Sequence, residues 1–85
     1  MLNKKSNPVE WTSLMYELED AKEHLSNLIA ELDSKQNLDE ADLKIQMGHV
    51  YAHLNRVFNS RNHIGEISTK EFVEYSKFPV DIDSV

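Results

Sequence analysis

The stretch from Asp42 to Phe58 constrains the fold more than any other, because apolar or small residues occupy two separate faces of what reads as one helix. One face follows Leu43, Met47, Val50, Leu54 and Val57 in steps of four and three, and the other follows Ala41, Ile45, Gly48 and Ala52 with the same steps. A helix with two such faces needs a partner on each. The chain must supply one of them, and a second copy of the protein is the natural source of the other.

The first partner is legible upstream. Asn7, Pro8, Val9 and Glu10 form a helix start signal: an Asn cap, a Pro at the first helical position where its missing N–H costs nothing, and a Glu three residues after the cap. From there Trp11, Leu14, Leu18, Ala21, Leu25, Leu28 and Leu32 alternate in steps of three and four, which predicts a helix over 8–33. A short polar connection ends at Asn37, read as the cap of a second helix over 38–62, with acidic Asp39, Glu40 and Asp42 at the positive end of its dipole. Folded back as an antiparallel hairpin, the two apolar lines match at one constant offset: Leu32 with Leu43, Leu28 with Met47, Leu25 with Val50, Ala21 with Leu54, and Leu18 with Val57.

The fold class expected is therefore all-α, an antiparallel helical hairpin followed by a short third helix over 69–77. Ser68 with Glu71 marks the start of that helix and Pro79 its end. Gly65 breaks the chain before it, and Phe72 and Phe78 are expected to cover one end of the bundle near Trp11. Residues 1–6 are expected to be disordered, 7–78 to form one helical domain, and 79–85 to be an extended tail. Beside the predicted seam, Met15, Ile29, Tyr51 and Phe58 add apolar surface that a lone hairpin would leave in water. Gly48 in mid-helix costs about 1 kcal/mol relative to Ala, which suggests a close backbone neighbour. Homodimerisation into a four-helix bundle through Met15, Ile29, Ile45, Gly48, Tyr51 and Phe58 answers both points.

Composition narrows the function classes. The chain has 85 residues, a net charge of −6 and no cysteine, which removes disulfides, thiol catalysis and thiolate metal sites. Its acidic balance, with no Lys/Arg cluster beyond Lys4 and Lys5, argues against nucleic acid as a partner. No run reaches the length of a membrane span and no apolar stretch follows the N-terminal lysines, so no membrane and a cytoplasmic location are expected. Two glycines, neither in a phosphate-binding pattern, leave nucleotide binding without residues.

One constellation carries possible chemistry. His49 and His53 are four apart on the second helix, and the register places His24, with Asp20 one turn before it, across from them. His24, His49, His53 and Asp20 are thus the metal-ligand candidates, although the reading preferred from sequence is an ordinary polar flank with no metal and no cofactor. The Glu of a catalytic H-E-x-x-H motif is missing and no Ser–His–Asp grouping falls together, so no catalytic residue is assigned. The function expected is non-enzymatic: a dimeric scaffold or adaptor for a protein partner, with a metal-binding or metal-sensing bundle as the alternative.

Overall fold

The computed structural model describes residues 1–35 and 37–83, and every regular element among them is helical. Helix α1 spans Pro8–Ser34, α2 Glu40–Asn59 and α3 Thr69–Tyr75, with α1 and α2 packed together as a hairpin and α3 against α2. The hairpin and the short third helix are those expected, with α2 shorter than predicted at both ends. Its cap is Asp39, whose side chain accepts the N–H of Ala41 at 2.9 Å, and not Asn37. Starting later puts Asp39, Glu40 and Asp42 together at the positive end of the helix dipole.

The start of α1 departs from the expected capping. Pro8 takes the first turn as predicted, but the Asn7 side chain does not cap the helix. Its Oδ1 turns back to accept the N–H of Asn3 at 3.1 Å, while Asn3 Oδ1 accepts from Lys5 at 2.8 Å. This closed turn delivers Leu2 into the structure, where it is buried and donates its N–H to the Arg61 carbonyl at 2.7 Å. Within residues 1–6, expected to lack order, Leu2 is buried and Asn3 anchors a hydrogen-bonded turn, while the other side chains are exposed.

The largest difference is rotational. Leu14, Ala21 and Leu28 are buried as expected, yet their presumed seam mates Leu18, Leu25 and Leu32 on α1 and Met47 and Leu54 on α2 are 39% to 50% exposed. Leu43, Val50 and Val57 of the expected seam stay half-buried, but the contact is turned toward the other flank of the Leu14–Ala21–Leu28 line, where Glu17, His24 and Glu31 face Arg56, His53 and Gln46. The alignment along the axes is still the predicted one, since these pairs straddle the anticipated offset. Charged and hydrogen-bonding groups have drawn the contact toward themselves and left the apolar flank open. The hairpin therefore has a polar side and an apolar side.

The second face of α2 finds part of its partner within the chain. Asn55 and Asn59 continue the Gly48 and Ala52 stripe in helical steps, and their amides donate to α3 and the residues just after it: Asn55 to Ser76 O at 2.9 Å, Asn59 to Tyr75 O at 2.9 Å and Lys77 O at 2.8 Å. The α3 start carries the predicted capping box, with Ser68 and Glu71 bonded reciprocally. Further along the stripe Ile45 is exposed, and a Cβ added to Gly48 would meet nothing within 4 Å. The close backbone neighbour expected at Gly48 is not present within the hairpin. Phe72 and Phe78, expected to cover a bundle end, remain half exposed, with the Arg56 guanidinium 4.4 Å over the Phe72 ring. The tail is tied back at Asp81, which pairs with Arg61 at 2.9 Å, and the last two residues of the predicted extended tail lie outside the described residues.

Candidate functional site: the polar seam between the long helices

The polar side of the hairpin gathers most of the chain's interhelical hydrogen bonds. At its centre the Glu17 carboxylate grips Arg56 through both oxygens, Oε2 accepting from Nε and Oε1 from Nη2 at 3.1 Å. Such fork-on-fork pairing fixes direction as well as charge. The two side chains are only 23% and 12% exposed, so water screens them weakly. Arg56 also donates to Ser76 Oγ at 2.9 Å, linking the seam to the end of α3.

His53 sits in the same knot, with its Nδ1 2.9 Å from Glu17 Oε1 and 2.9 Å from Arg56 Nη2. Nδ1 can donate to Glu17 Oε1 or accept from Arg56 Nη2, according to the tautomer. In either case Nε2 makes no hydrogen bond to a described residue. One oxygen of Glu17, one of Asp20 and one ring nitrogen of His53 lie within 4.8 Å of one another.

The remaining histidines complete the cluster. The His24 ring lies 5.3 Å from that of His49 and 5.2 Å from that of His53, at interplanar angles of 11° and 25°. The antiparallel register sets His24 beside both His49 and His53, and Asp20 beside His53. Toward the loop the seam closes with Gln46 donating to Glu31 Oε2 at 2.7 Å and Lys35 to Oε1 at 2.8 Å. These bonds, Lys35 first and Gln46 second, hold the Glu31 carboxyl below the usual glutamate range, and Glu31 in turn raises Lys35. Glu17, Arg56, Glu31 and Gln46 escape a reading for apolar period, yet Glu17, His24 and Glu31 recur every seven residues along α1, a heptad line that marks a helix-facing flank.

A concavity with no counterpart in the sequence pattern lies at the other end of the hairpin. A cavity of about 320 Å³ opens between the N-terminal turn, the start of α1 and the loop after α2, lined by Leu2, Glu10, Ser13, Ser60, His63 and Ile67 among others. Gly65 adopts φ +88°, a left-handed conformation suited to glycine, and so points its N–H at Glu10 Oε2, 3.0 Å away. That bond is the main reason the Glu10 carboxyl stays below the usual range. The polar groups here are already engaged: Ser13 donates to Val9 O, Ser60 to Arg56 O, and the His63 ring nitrogens meet Tyr75 Oη at 3.0 Å and Glu66 O at 2.9 Å. These bonds satisfy the polar side chains that line the cavity.

Compared with protein-family models, curated proteins and solved structures, the chain matches none. No helix among the described residues is long and apolar enough to cross a membrane.

Proposed function

We propose that the protein is a non-enzymatic, self-associating helical module: two hairpins join through their apolar sides into a four-helix bundle and present their acidic outer faces to a protein partner. The observation that carries this is how little a single chain encloses. Leu2, Leu14, Ala21 and Leu28 are the buried apolar core, and no large side chain among the described residues is fully enclosed. The accessible surface is 6696 Å², whereas a compact monomer of 9.9 kDa exposes about 5200 Å². That excess, about 1500 Å², is larger than the roughly 800 Å² each partner contributes to a standard interface.

Helical phase sorts the residues first assigned to the interface. Met15, Ile29, Tyr51 and Phe58 fall on the apolar side, together with Leu18, Leu25, Leu32, Met47 and Leu54. Ile45 and Gly48 fall on the side where α3 packs, so one interface does not hold all six. The pairing proposed therefore uses the apolar side alone, with Leu25 near its middle.

Sedimentation equilibrium tests the reading. Twice the mass of the chain is expected at micromolar concentration, and Leu25→Lys should return it to the monomer mass with helicity retained. A wild-type chain that sediments as a monomer throughout the micromolar range would overturn it.

A further inference from the structure

The geometry of the polar side points to a second property, independent of self-association: we propose that Asp20, His24, His49 and His53 form a binding site for one divalent transition metal ion of the zinc class. The ligands come as two pairs at i, i+4 spacing, Asp20 with His24 on α1 and His49 with His53 on α2. Each pair projects from one helical face, and the antiparallel register sets the pairs opposite each other.

The spacing of His24 from each of the other two rings fits a shared ion. With a metal–nitrogen bond of about 2.0–2.1 Å, an imidazole centre lies about 3.2 Å from the metal, and two such centres at the tetrahedral angle are about 5.2 Å apart. The His24 ring is 5.3 Å from His49 and 5.2 Å from His53. The rings lie face to face, so bringing their nitrogens to a common point requires each to turn about its Cβ–Cγ bond with the centres left in place. His24 and His49 are free to do so, because neither makes a side-chain hydrogen bond to any described residue.

His53 is prepared differently. Its Nδ1 is held 2.9 Å from Glu17 Oε1 and from Arg56 Nη2, which directs Nε2 away from the ion pair, and a metal bound at Nε2 would select the tautomer that donates from Nδ1 to Glu17. Metal-binding histidines are oriented by carboxylates in this way, with the second ring nitrogen donating outward. Arg56 is the one cation in the knot, and Glu17 neutralises it through both oxygens. Glu17 is thus a positioning residue, and Asp20, whose carboxylate lies within 4.8 Å of a Glu17 oxygen and a His53 nitrogen, supplies the negative ligand. Three neutral imidazoles and one carboxylate suit zinc, cobalt, nickel or copper and disfavour calcium and magnesium. With all four positions filled by protein, the ion would brace α1 against α2 and leave no open coordination position for a substrate.

The test uses the full chain, stripped with chelator and titrated with zinc by calorimetry. One ion per chain at micromolar affinity or tighter is expected, and cobalt should give the strong visible absorption of a four-coordinate centre. His24→Gln, His49→Gln and Asp20→Asn should each weaken binding by about tenfold or more, and Glu17→Gln by about ten- to a hundredfold. In the wild-type chain, zinc should move the ring nitrogen resonances of His24, His49 and His53 and leave those of His63, which lies outside the cluster, in place. Binding only at millimolar zinc, affinity unchanged in both His24→Gln and His49→Gln, or resonance shifts that do not single out the three rings, would overturn the proposal. Because all four ligands lie on one hairpin, the Leu25→Lys monomer should bind equally well, which separates this outcome from the fate of the dimer.

Discussion

Two contacts decide most of what is specific about this hairpin. Asn55 is 7% exposed on a helix otherwise lacking buried residues, and its amide satisfies the Ser76 carbonyl at 2.9 Å. Asn55→Ala should cost about 1–3 kcal/mol in a urea titration, because it strands that acceptor away from water. Glu17 and Arg56 are the second decisive contact. Their coupling in a double-mutant cycle should exceed about 1 kcal/mol and survive added salt, since both are largely shielded. The Lys35–Glu31 pair, whose lysine is 56% exposed, should show no measurable coupling at high salt. Glu71 gives a pH signature. The Ser68 N–H, and after it the Ser68 hydroxyl, hold its carboxyl below the usual glutamate range. A depressed carboxyl stabilises the fold fully above the unfolded glutamate range and ceases to as pH falls through the lower folded value. NMR secondary shifts over Thr69–Tyr75 should therefore collapse on acidification, and Ser68→Ala should move that collapse toward higher pH.

At the scale of the element, the sequence is a good guide to where helices are and a poor one to how they are turned. Gly48→Ala is a direct check, because α2 leaves open space at that position in the hairpin. It should raise stability by about 0.5–1 kcal/mol in thermal unfolding, the ordinary gain of Ala over Gly inside a helix. A loss instead would mean that the stripe is covered. Helix existence was legible because period, Pro8, the Ser68–Glu71 box and Gly65 are local signals whose physics is complete within a few residues. The rotation of the seam was not, because Leu14, Ala21 and Leu28 have leucines on one flank and Glu17, His24 and Glu31 on the other. Apolar pattern ranks the leucine flank first. What tips the helices the other way is the fit of Glu17 to a guanidinium 39 positions later, and that match is long-range. The Asn7 cap failed for a related reason: an Asn side chain serves a preceding turn as readily as a following helix. The histidine cluster was foreseen as a set of residues, but the contact of His53 with Glu17 was not, since it is invisible without the rotation.

Over the whole molecule, the two sides of the hairpin divide the labour, with apolar surface on one and directional bonds on the other. The molecule is elongated, 47 × 29 × 24 Å, so each side is a long strip with no dome over it. Pairing through the apolar strip leaves the polar strip on the outside of the bundle, where a metal ion would have access from solvent. Dimer stability should accordingly respond to apolar truncation and be insensitive to salt, while helix-to-helix stability within a chain should respond to zinc. Equilibrium unfolding at two protein concentrations, with and without zinc, resolves the two contributions. The rotated seam also bears on how copies avoid exchanging parts. Leucine strips on different molecules are interchangeable, and hairpins held by such strips alone would readily trade helices. Here the contact within the chain also carries directional charge and hydrogen bonds, so an exchange of α2 between copies must first break the Glu17–Arg56 pair. Each chain should close on itself before it meets a second, so that refolding begins with a phase whose rate is independent of concentration and only afterwards becomes bimolecular.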